Sequence, residues 1–378
     1  MNILADDSDF EDGAPEPRRN PDLLGQNGAE QVLAEDFASG RLAHAWMLTG
    51  PKGIGKATLA YRFARYVLAN EPAEETGPSL FDDDLPSEPA GVGTNALYLA
   101  PRNPVFQRVA AGGHADLITV KRGLNSAGKP RSEIVVGDVR EVGRFMALTA
   151  GEGGWRVVVV DSADEMNVNA ANALLKVLEE PPPNALLLLV CHNSGRLLPT
   201  IRSRCRKLRL DDLEEATIAT LLTRYMPELD AETNRELAAL SDGSIGRALD
   251  LAETDGAELQ IRITSLLSQM PSLDFGQLQD FGAQLAKADA VMHFETVADL
   301  LRRLLSRLIR HASGSDIGLK PDEAELFSRL TASAGLDRWL QVWEKTDDLL
   351  RRTNRINLDR KHVILNVFLN ISEAARGG

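Results

Sequence analysis

Cysteine and aromatic residues are scarce in this chain of 378 residues, which has two cysteines and 5% aromatic residues. Two cysteines cannot build a disulfide framework, and this fits a reducing cytoplasm. No apolar run approaches the roughly 20 residues that are needed to span a bilayer. The acidic first residues, MNILADDSDFEDG, lack the basic region of a secretory signal. We therefore expect a cytoplasmic protein with no membrane partner.

Positive charge is also in deficit, with 42 basic against 55 acidic residues and a formal net charge of −13. Residues 1–20 carry six acids and two arginines, and residues 71–90 carry seven acids and no base, which leaves about −2 for the rest. Both segments are poor in periodic apolar residues, so they are predicted to be disordered or loops. The charge balance neither supports nor excludes binding to DNA.

What the chain does contain is a strand–helix–strand pattern in residues 155–210. Val157–Val160 is an all-apolar run of the kind found in parallel strands that are buried on both faces, and Leu186–Val190 is another. The helical segment between them stops at Pro181, because proline lacks the backbone donor. In such a crossover unit, functional groups are expected at the carboxyl ends of the strands, here Asp161 and the Cys191-His192-Asn193 corner.

This block resembles the subunits of the bacterial replicative clamp loader, which are AAA+ proteins of the DNA polymerase III holoenzyme. The resemblance rests on Asn172–Pro181, NALLKVLEEP, followed by Thr200–Cys205, TIRSRC. It implies an α/β fold, in which an AAA+ parallel-sheet nucleotide-binding domain with a small helical lid is followed by an all-α collar domain.

The resemblance, together with composition, predicts the domain boundaries. Residues 1–20 form a disordered acidic tail, and residues 21–211 form the AAA+ domain of the P-loop NTPase type, with an acidic insertion at about 71–95. Residues 212–262 form a three-helix lid, and residues 263–378 form a helical collar that mediates oligomerisation. Some relatives hold a four-cysteine zinc module in the insertion, but residues 71–95 contain no cysteine, so no zinc is expected.

A phosphate-binding loop is predicted at residues 50–56, because the spacing G-x-x-x-x-G-K follows a strand and opens a helix. The backbone N–H groups around Gly50, Gly53 and Gly55 would surround the phosphates of ATP, and Lys56 would reach the terminal ones. The motif then requires a hydroxyl to ligate magnesium, but the chain has Ala57. The hydroxyl of Thr58 is turned about 100° away on the helix.

Two further stretches bear on the nucleotide. Leu24-Gly25-Gln26 would lie against the adenine if the resemblance holds, whereas a turn before a helix is the alternative. The acidic strand ends in Asp161-Ser162, where hydrolytic relatives have Asp-Glu. Asp161 could hold magnesium through water, but Ser162 cannot polarise the attacking water, and losing a positioned base costs about 10²–10⁴ in rate.

Four other acidic, polar or basic residues could lie near the nucleotide, and the sequence allows a structural role for each. Asp164 and Glu165, further along the turn, are expected to be capping or surface acids. Asn193 is either a sensor of the terminal phosphate or a loop-forming residue. Arg247 falls one residue after the position of the second sensor arginine in hydrolytic relatives, and this shift is expected to turn its side chain away from the phosphate.

In the Ser203-Arg204-Cys205 turn, the resemblance implies that Arg204 is an arginine finger, supplied to the nucleotide of a neighbouring subunit. Guanidinium is always charged and presents a planar fork to phosphate oxygens. The alternative is a structural arginine at the sheet edge. Arg202 and Arg206 are weaker candidates.

The family's partners would be the motor (gamma/tau) and delta subunits, the sliding clamp, and primer–template DNA through the assembled ring. Ala57 and Ser162 beside a retained Arg204 favour a stator that gives the arginine and hydrolyses ATP weakly or not at all. An ATP-hydrolysing motor subunit and a stand-alone AAA+ DNA-repair factor are the alternatives. The basic residues Arg303, Arg307 and Arg310 would form a solvated helix face rather than a DNA contact.

Overall fold

The computed structural model describes residues 13–70, 96–125, 128, 131–151, 154–315, 318–356 and 358–377, with the side chains of residues 354–356 excepted. The chain divides into two compact units, residues 1–247 and residues 248–378. Within the described ranges, no helix has both the length and the apolar character that crossing a membrane requires.

The first unit alternates helices and strands. Its elements are α1 (Asn27–Ala38), β1 (Ala45–Thr49), α2 (Lys56–Ala69), α3 (Pro104–Ala110), β2 (Leu117–Val120), α4 (Val136–Ala147), β3 (Arg156–Val160), α5 (Val168–Glu179), β4 (Ala185–Cys191), α6 (Pro199–Arg202), β5 (Arg206–Arg209), α7 (Glu215–Tyr225) and α8 (Ala231–Leu240), and α9 (Ile245–Glu253) begins in it.

The five strands form one parallel sheet in the order β2-β3-β4-β1-β5. Alternate side chains of the central strands enter two separate apolar cores. Val158 and Leu187 pack on one face with α4 and α5, whereas Val157 and Leu188 pack on the other with α1 and α2. This explains the unbroken apolar runs in the sequence, because a strand covered on both faces has no solvent side.

The predicted fold class is confirmed by this parallel sheet and by the helices that follow it. The two apolar runs form β3 and β4, and α5 ends at Glu179, before the three prolines. Asn167 caps α5 by accepting a bond from the N–H of Ala170 at 3.0 Å, which explains why this helix begins where it does.

Helix α2 carries two arginines that are almost completely buried, which its apolar neighbours do not suggest. Arg62 Nε lies 2.6 Å from Glu30 Oε1, and both side chains are 1% exposed. Arg65 donates to the carbonyls of Arg18, at 3.0 Å, and Asn20, at 2.7 Å, while Arg62 also bonds the carbonyl of Pro21. Burial raises the pKa of the Glu30 carboxyl, and the Arg62 charge opposes that rise.

These arginines fix a segment that was predicted to be part of the disordered tail. Glu16–Asn20 form a turn, with the N–H of Arg19 2.8 Å from the carbonyl of Glu16. Residues 16–20 are therefore ordered, which differs from the prediction. The physical cause is that an arginine of α2 donates hydrogen bonds to carbonyls of this segment. Residues 1–12 and the acidic insertion at 71–95 lie outside the described residues.

The lid predicted at residues 212–262 contains α7 and α8, which pack together, and α9. Its predicted end, at residue 262, falls inside the helix Gly256–Ser268, whereas the compact units divide between Arg247 and Ala248. The division into a sheet domain, a lid and a collar stays a prediction.

In the second unit, every described element is a helix: α10 (Gly256–Ser268), α11 (Phe275–Leu285), α12 (Val291–Ala312), α13 (Pro321–Thr331), α14 (Leu336–Ile356) and α15 (Arg360–Ala375). Helix α12 packs against α10, α13 and α14. Trp339 is fully buried. Arg307 makes two 2.8 Å bonds to Glu323, so this member of the predicted basic face is paired within its own unit.

We predict that Glu30→Ala lowers the free energy of unfolding of the first unit by about 3 kcal/mol, because it leaves the Arg62 charge buried without its carboxylate. Urea-dependent hydrogen exchange of the β1 and β4 amides would measure this, since those amides report on the first unit.

The matched control is Asp211→Ala, which removes an exposed partner 3.5 Å from Arg209. Its effect should stay below about 1 kcal/mol. Equal losses from the two substitutions would contradict a stabilising role for the buried pair.

Candidate functional site

The predicted phosphate loop joins the end of β1 to the start of α2. Gly50, Gly53 and Gly55 have φ values of 145°, 79° and 98°, and residues with a side chain rarely adopt such values. The prediction that the loop links a buried strand to a helix is confirmed. The glycines therefore give the loop the shape on which backbone binding of phosphate depends.

Lys56 lies inside this loop rather than above it. Its side chain is 2% exposed, and its Nζ donates to the carbonyl of Gly50 at 2.7 Å and to that of Pro51. Burial lowers its pKa to about 8, although Asp164, Cys191 and Asp161 act in the opposite direction. The ammonium is thus largely charged at neutral pH and is bonded to the loop's own carbonyls.

Strand β3, which Asp161 follows, ends at a turn that is bonded to the end of β4. Ser162 adopts a left-handed conformation, with φ 63°, and its Oγ lies 3.2 Å from His192 Nε2. Burial, and then the Lys56 charge, lower the pKa of His192, which favours the neutral ring. The Ser162–His192 contact was not foreseen, because the two residues lie 30 positions apart in the sequence.

Asp164 is buried, and of the two roles expected for it, capping acid or surface acid, it has the first. Its carboxylate accepts bonds from the backbone N–H groups of His192, at 2.9 Å, and Asn193, at 3.0 Å. It therefore caps the turn after β4. Glu165, in contrast, is partly exposed and pairs with Arg122 at 2.9 Å.

Asn193, Thr58 and Asp161 are the remaining candidate site residues, and each lies next to a strand end or a helix start. The Asn193 side chain accepts a bond from the N–H of Gly195 at 3.0 Å, which is the geometry of a loop-forming residue. Thr58 is 8% exposed in the first turn of α2. Asp161 lies directly after β3, as expected from the sequence.

A cavity of about 510 Å³ lies beside the segment that precedes α1. Its lining comes from this segment, from the first residue of α1 and from the residues around the start of α7: Leu23, Leu24, Gly25, Asn27, Asp212, Glu214, Thr217 and Thr220. The size is within the range of small-molecule sites. Gln26 does not line it, because its amide bonds the carbonyls of Ile54, at 3.2 Å, and Asp211, at 2.9 Å.

The start of α9 and the residue before it are bonded to the loop between β1 and α2. Ser244 Oγ donates to the carbonyl of Lys52 at 2.8 Å, and the N–H of Gly246 donates to that of Gly53 at 3.0 Å. A Cβ on Gly246 would lie 2.9 Å from the Cα of Gly53, so only glycine fits there. Arg247 points its Nη1 to Asp242 at 2.8 Å.

Arg204 lies at the surface, in the turn between α6 and β5. Its side chain is 36% exposed, its Nη2 is 2.8 Å from Glu179 Oε1, and its Nη1 donates to the carbonyl of Thr200 at 3.1 Å. Cys205 beside it is buried among apolar residues of α5 and α6, as predicted. Burial raises the pKa of its thiol to about 12, so it is not a nucleophile at neutral pH.

The fit to a nucleotide is better than the fit to a metal ion. The glycine loop and the buried ammonium of Lys56 are features that a phosphate site requires, and the cavity lined by residues 23–25 has the size of a small-molecule site. The position after Lys56 has no hydroxyl for magnesium. Within the described residues, no group of three or more His, Cys, Asp or Glu side chains is arranged to hold a metal ion.

Comparison with known proteins identifies the family. A family model described as "DNA polymerase III, delta subunit" matches residues 100–214. The Escherichia coli (strain K12) protein named DNA polymerase III subunit delta' is 31% identical over 308 residues, which are 80% of this chain and 82% of that protein. The chain belongs to the delta-prime subunit family of DNA polymerase III.

Two further relatives bear on this family. The delta-prime subunit of Pseudomonas aeruginosa is 39% identical over 202 residues, and the match spans about half of each protein, 53% of both. A protein of Buchnera aphidicola named DNA polymerase III subunit gamma is 25% identical over 241 residues, 63% of this chain and 58% of that protein. The similarity to delta-prime subunits is thus higher than the similarity to this gamma subunit.

We predict that Gly246→Ala loosens the contact between lid and phosphate loop, because the new methyl group would meet backbone rather than a movable side chain. The expected loss in free energy of unfolding is about 1–3 kcal/mol, with faster hydrogen exchange of the Gly246 amide.

Gly143→Ala in α4 is the control, since a Cβ there meets nothing within 4 Å. It should stabilise the protein by about 0.4–1 kcal/mol. If the two substitutions change stability in the same direction, the contact between Gly246 and Gly53 is not tight.

Proposed function

We propose that this delta-prime family member is the stator of a clamp loader and gives Arg204 to the nucleotide of the neighbouring motor subunit. The observation that carries the proposal is an exposed guanidinium in the Ser-Arg-Cys turn, in a chain whose own site lacks two catalytic groups. An always-charged planar fork suits the stabilisation of a transferring phosphoryl group.

The proposed partners are the motor (gamma/tau) and delta subunits, the sliding clamp, and primer–template DNA, which the chain would meet through the assembled ring. ATP bound by the motor subunits would supply the chemistry. Action on bacterial DNA would place the chain in the cytoplasm. Its own loop could still bind ATP through Gly50, Gly53, Gly55 and Lys56, with Asp161 as the residue to hold magnesium through water.

The alternative of a hydrolysing motor subunit requires a substitute for the base that Ser162 cannot provide. Asp164 already accepts two backbone N–H bonds, and Glu165 is paired with Arg122. Neither carboxylate is therefore available to orient water without losing a structural contact. This observation favours the stator over the motor.

A stand-alone AAA+ repair factor is the third candidate. It would assemble with itself and hydrolyse ATP in response to DNA without other subunits. Membership of the delta-prime family argues against this reading, and purification with the motor and delta subunits, with assembly and ATPase measured together, separates the two.

We predict that the isolated full-length chain hydrolyses ATP at or near background, because no positioned base stands at residue 162. Phosphate release, measured with and without primed DNA, checks this. A turnover on the order of 1 s⁻¹, typical of slow enzymes, that disappears in Lys56→Ala would show the chain to be a motor.

We also predict that Arg204→Ala leaves the fold intact but lowers the DNA-stimulated ATPase of the reconstituted loader several-fold. A finger is worth about 10³–10⁵ at one site, but the remaining interfaces of the ring would continue to turn over.

The matched control is Arg202→Ala, at an exposed arginine two residues earlier, which should retain the ATPase. An unchanged rate in Arg204→Ala would make Arg204 structural. Equal losses in both variants would point to the charge of the surface rather than to one guanidinium.

A further inference from the structure

The guanidinium of Arg204, in the turn between α6 and β5, is bonded to a residue of α5. Glu179 is the last residue of α5, and its Oε1 lies 2.8 Å from Arg204 Nη2. The carbonyl of Thr200 accepts a second bond, from Nη1, at 3.1 Å. Two different elements thus fix the plane of this side chain, although it is more than one-third exposed.

The neighbouring arginines of the same basic run, Arg202 and Arg206, make different contacts from those of Arg204. Arg206 is bonded to Asp36, and its guanidinium lies 4.6 Å from the centre of the Trp46 ring. Arg202 is exposed, and within the described part of the chain it makes no ion pair. Of the three, Arg204 alone combines an oriented guanidinium with a carboxylate partner that is itself half exposed.

The position of Glu179 is not explained by the stability of α5. The carboxyl end of a helix carries partial negative charge, so an acid in the last turn is unfavourable there. Glu179 and Glu180 both occupy this end, and Lys176 is the basic residue of the last turn. The bond that Glu179 does form is the one to Arg204.

We propose that Glu179 is a positioning residue, which orients the Arg204 guanidinium towards a triphosphate held by a neighbouring subunit. This inference rests on the proposed role of Arg204. Glu179 itself would touch neither nucleotide nor reacting atoms, and it would act only through the arginine.

The chemistry of guanidinium allows it to be held and to act at the same time. It carries five N–H donors in a fixed fork. One bond to Glu179 and one to Thr200 leave donors for phosphate oxygens. Because the long side chain is already ordered, less rotational freedom remains to be lost when the triphosphate is engaged. The exposed pair is screened by water, so it can adjust as the neighbouring subunit approaches.

The test uses full-length variants reconstituted with the motor and delta subunits and ATP as the probe. Glu179→Ala should lower the kcat of the DNA-stimulated ATPase at least about twofold, but less than Arg204→Ala does, with an unchanged KM for ATP. Glu179→Gln, which keeps an acceptor, should lie between wild type and Glu179→Ala. The control Glu180→Ala removes the adjacent exposed acid and should behave as wild type.

The double variant Glu179→Ala with Arg204→Ala tests whether Glu179 changes kcat through Arg204 or independently of it. If Glu179 acts through the arginine, the double variant should have the same kcat as Arg204→Ala alone. A further loss in the double variant, or a loss that accompanies poor ring assembly, would overturn the inference by making Glu179 structural.

The two proposals can fail separately. If Arg204→Ala lowers kcat and Glu179→Ala does not, the positioning role is wrong while the proposed function stands. If Arg204→Ala leaves kcat unchanged, both are overturned.

Discussion

The parallel sheet imposes the constraint on which the first unit depends, because β1, β3 and β4 are buried along their whole length. Apolar side chains must fill both faces, so the polar groups of the candidate site lie at the edge where the strands end. Lys56, Asp161, Asp164 and His192 all follow a strand end or the loop that leaves one. Their proximity is therefore a consequence of topology, not of closeness in the sequence.

Several polar groups at this edge are bonded to the backbone of the surrounding loops. Lys56 bonds the loop carbonyls, Asp164 bonds the turn after β4, and Gly246 bonds Gly53. A phosphate that met the Lys56 ammonium would compete with the two loop carbonyls to which that ammonium is already bonded. At the surface of the same unit, Arg204 has a half-exposed partner that water screens. The chain thus combines a glycine loop whose lysine is bonded internally with a partly exposed guanidinium whose partner is half exposed.

Much of the fold could be predicted from the sequence, because its signals are local. Four consecutive valines gave β3, the proline run gave the end of α5, and the spacing of glycines with Lys56 gave the phosphate loop. The AAA+ type, and the role suggested for Arg204, came from the resemblance and not from periodicity.

The features that sequence reasoning missed depend on contacts between distant segments. Asp164 is buried because it bonds the backbone 28 residues later, and nothing in its own surroundings signals that. Glu179 has the sequence surroundings of an ordinary helix acid, and only the fold brings it within 2.8 Å of Arg204. The close approach of Gly246 to Gly53 joins positions 193 residues apart, and no local pattern encodes it.

The buried arginines of α2 have a consequence for how the amino-terminal segment can change. Arg62 and Arg65 bond the carbonyl oxygens of Arg18, Asn20 and Pro21, and every amino acid supplies such an oxygen. The contact between these arginines and the amino-terminal segment depends on the path of the main chain and not on which side chains the segment carries. Substitutions at Arg18 or Pro21 that preserve this path should therefore keep the segment attached, whereas the two guanidinium groups admit no substitute of different shape.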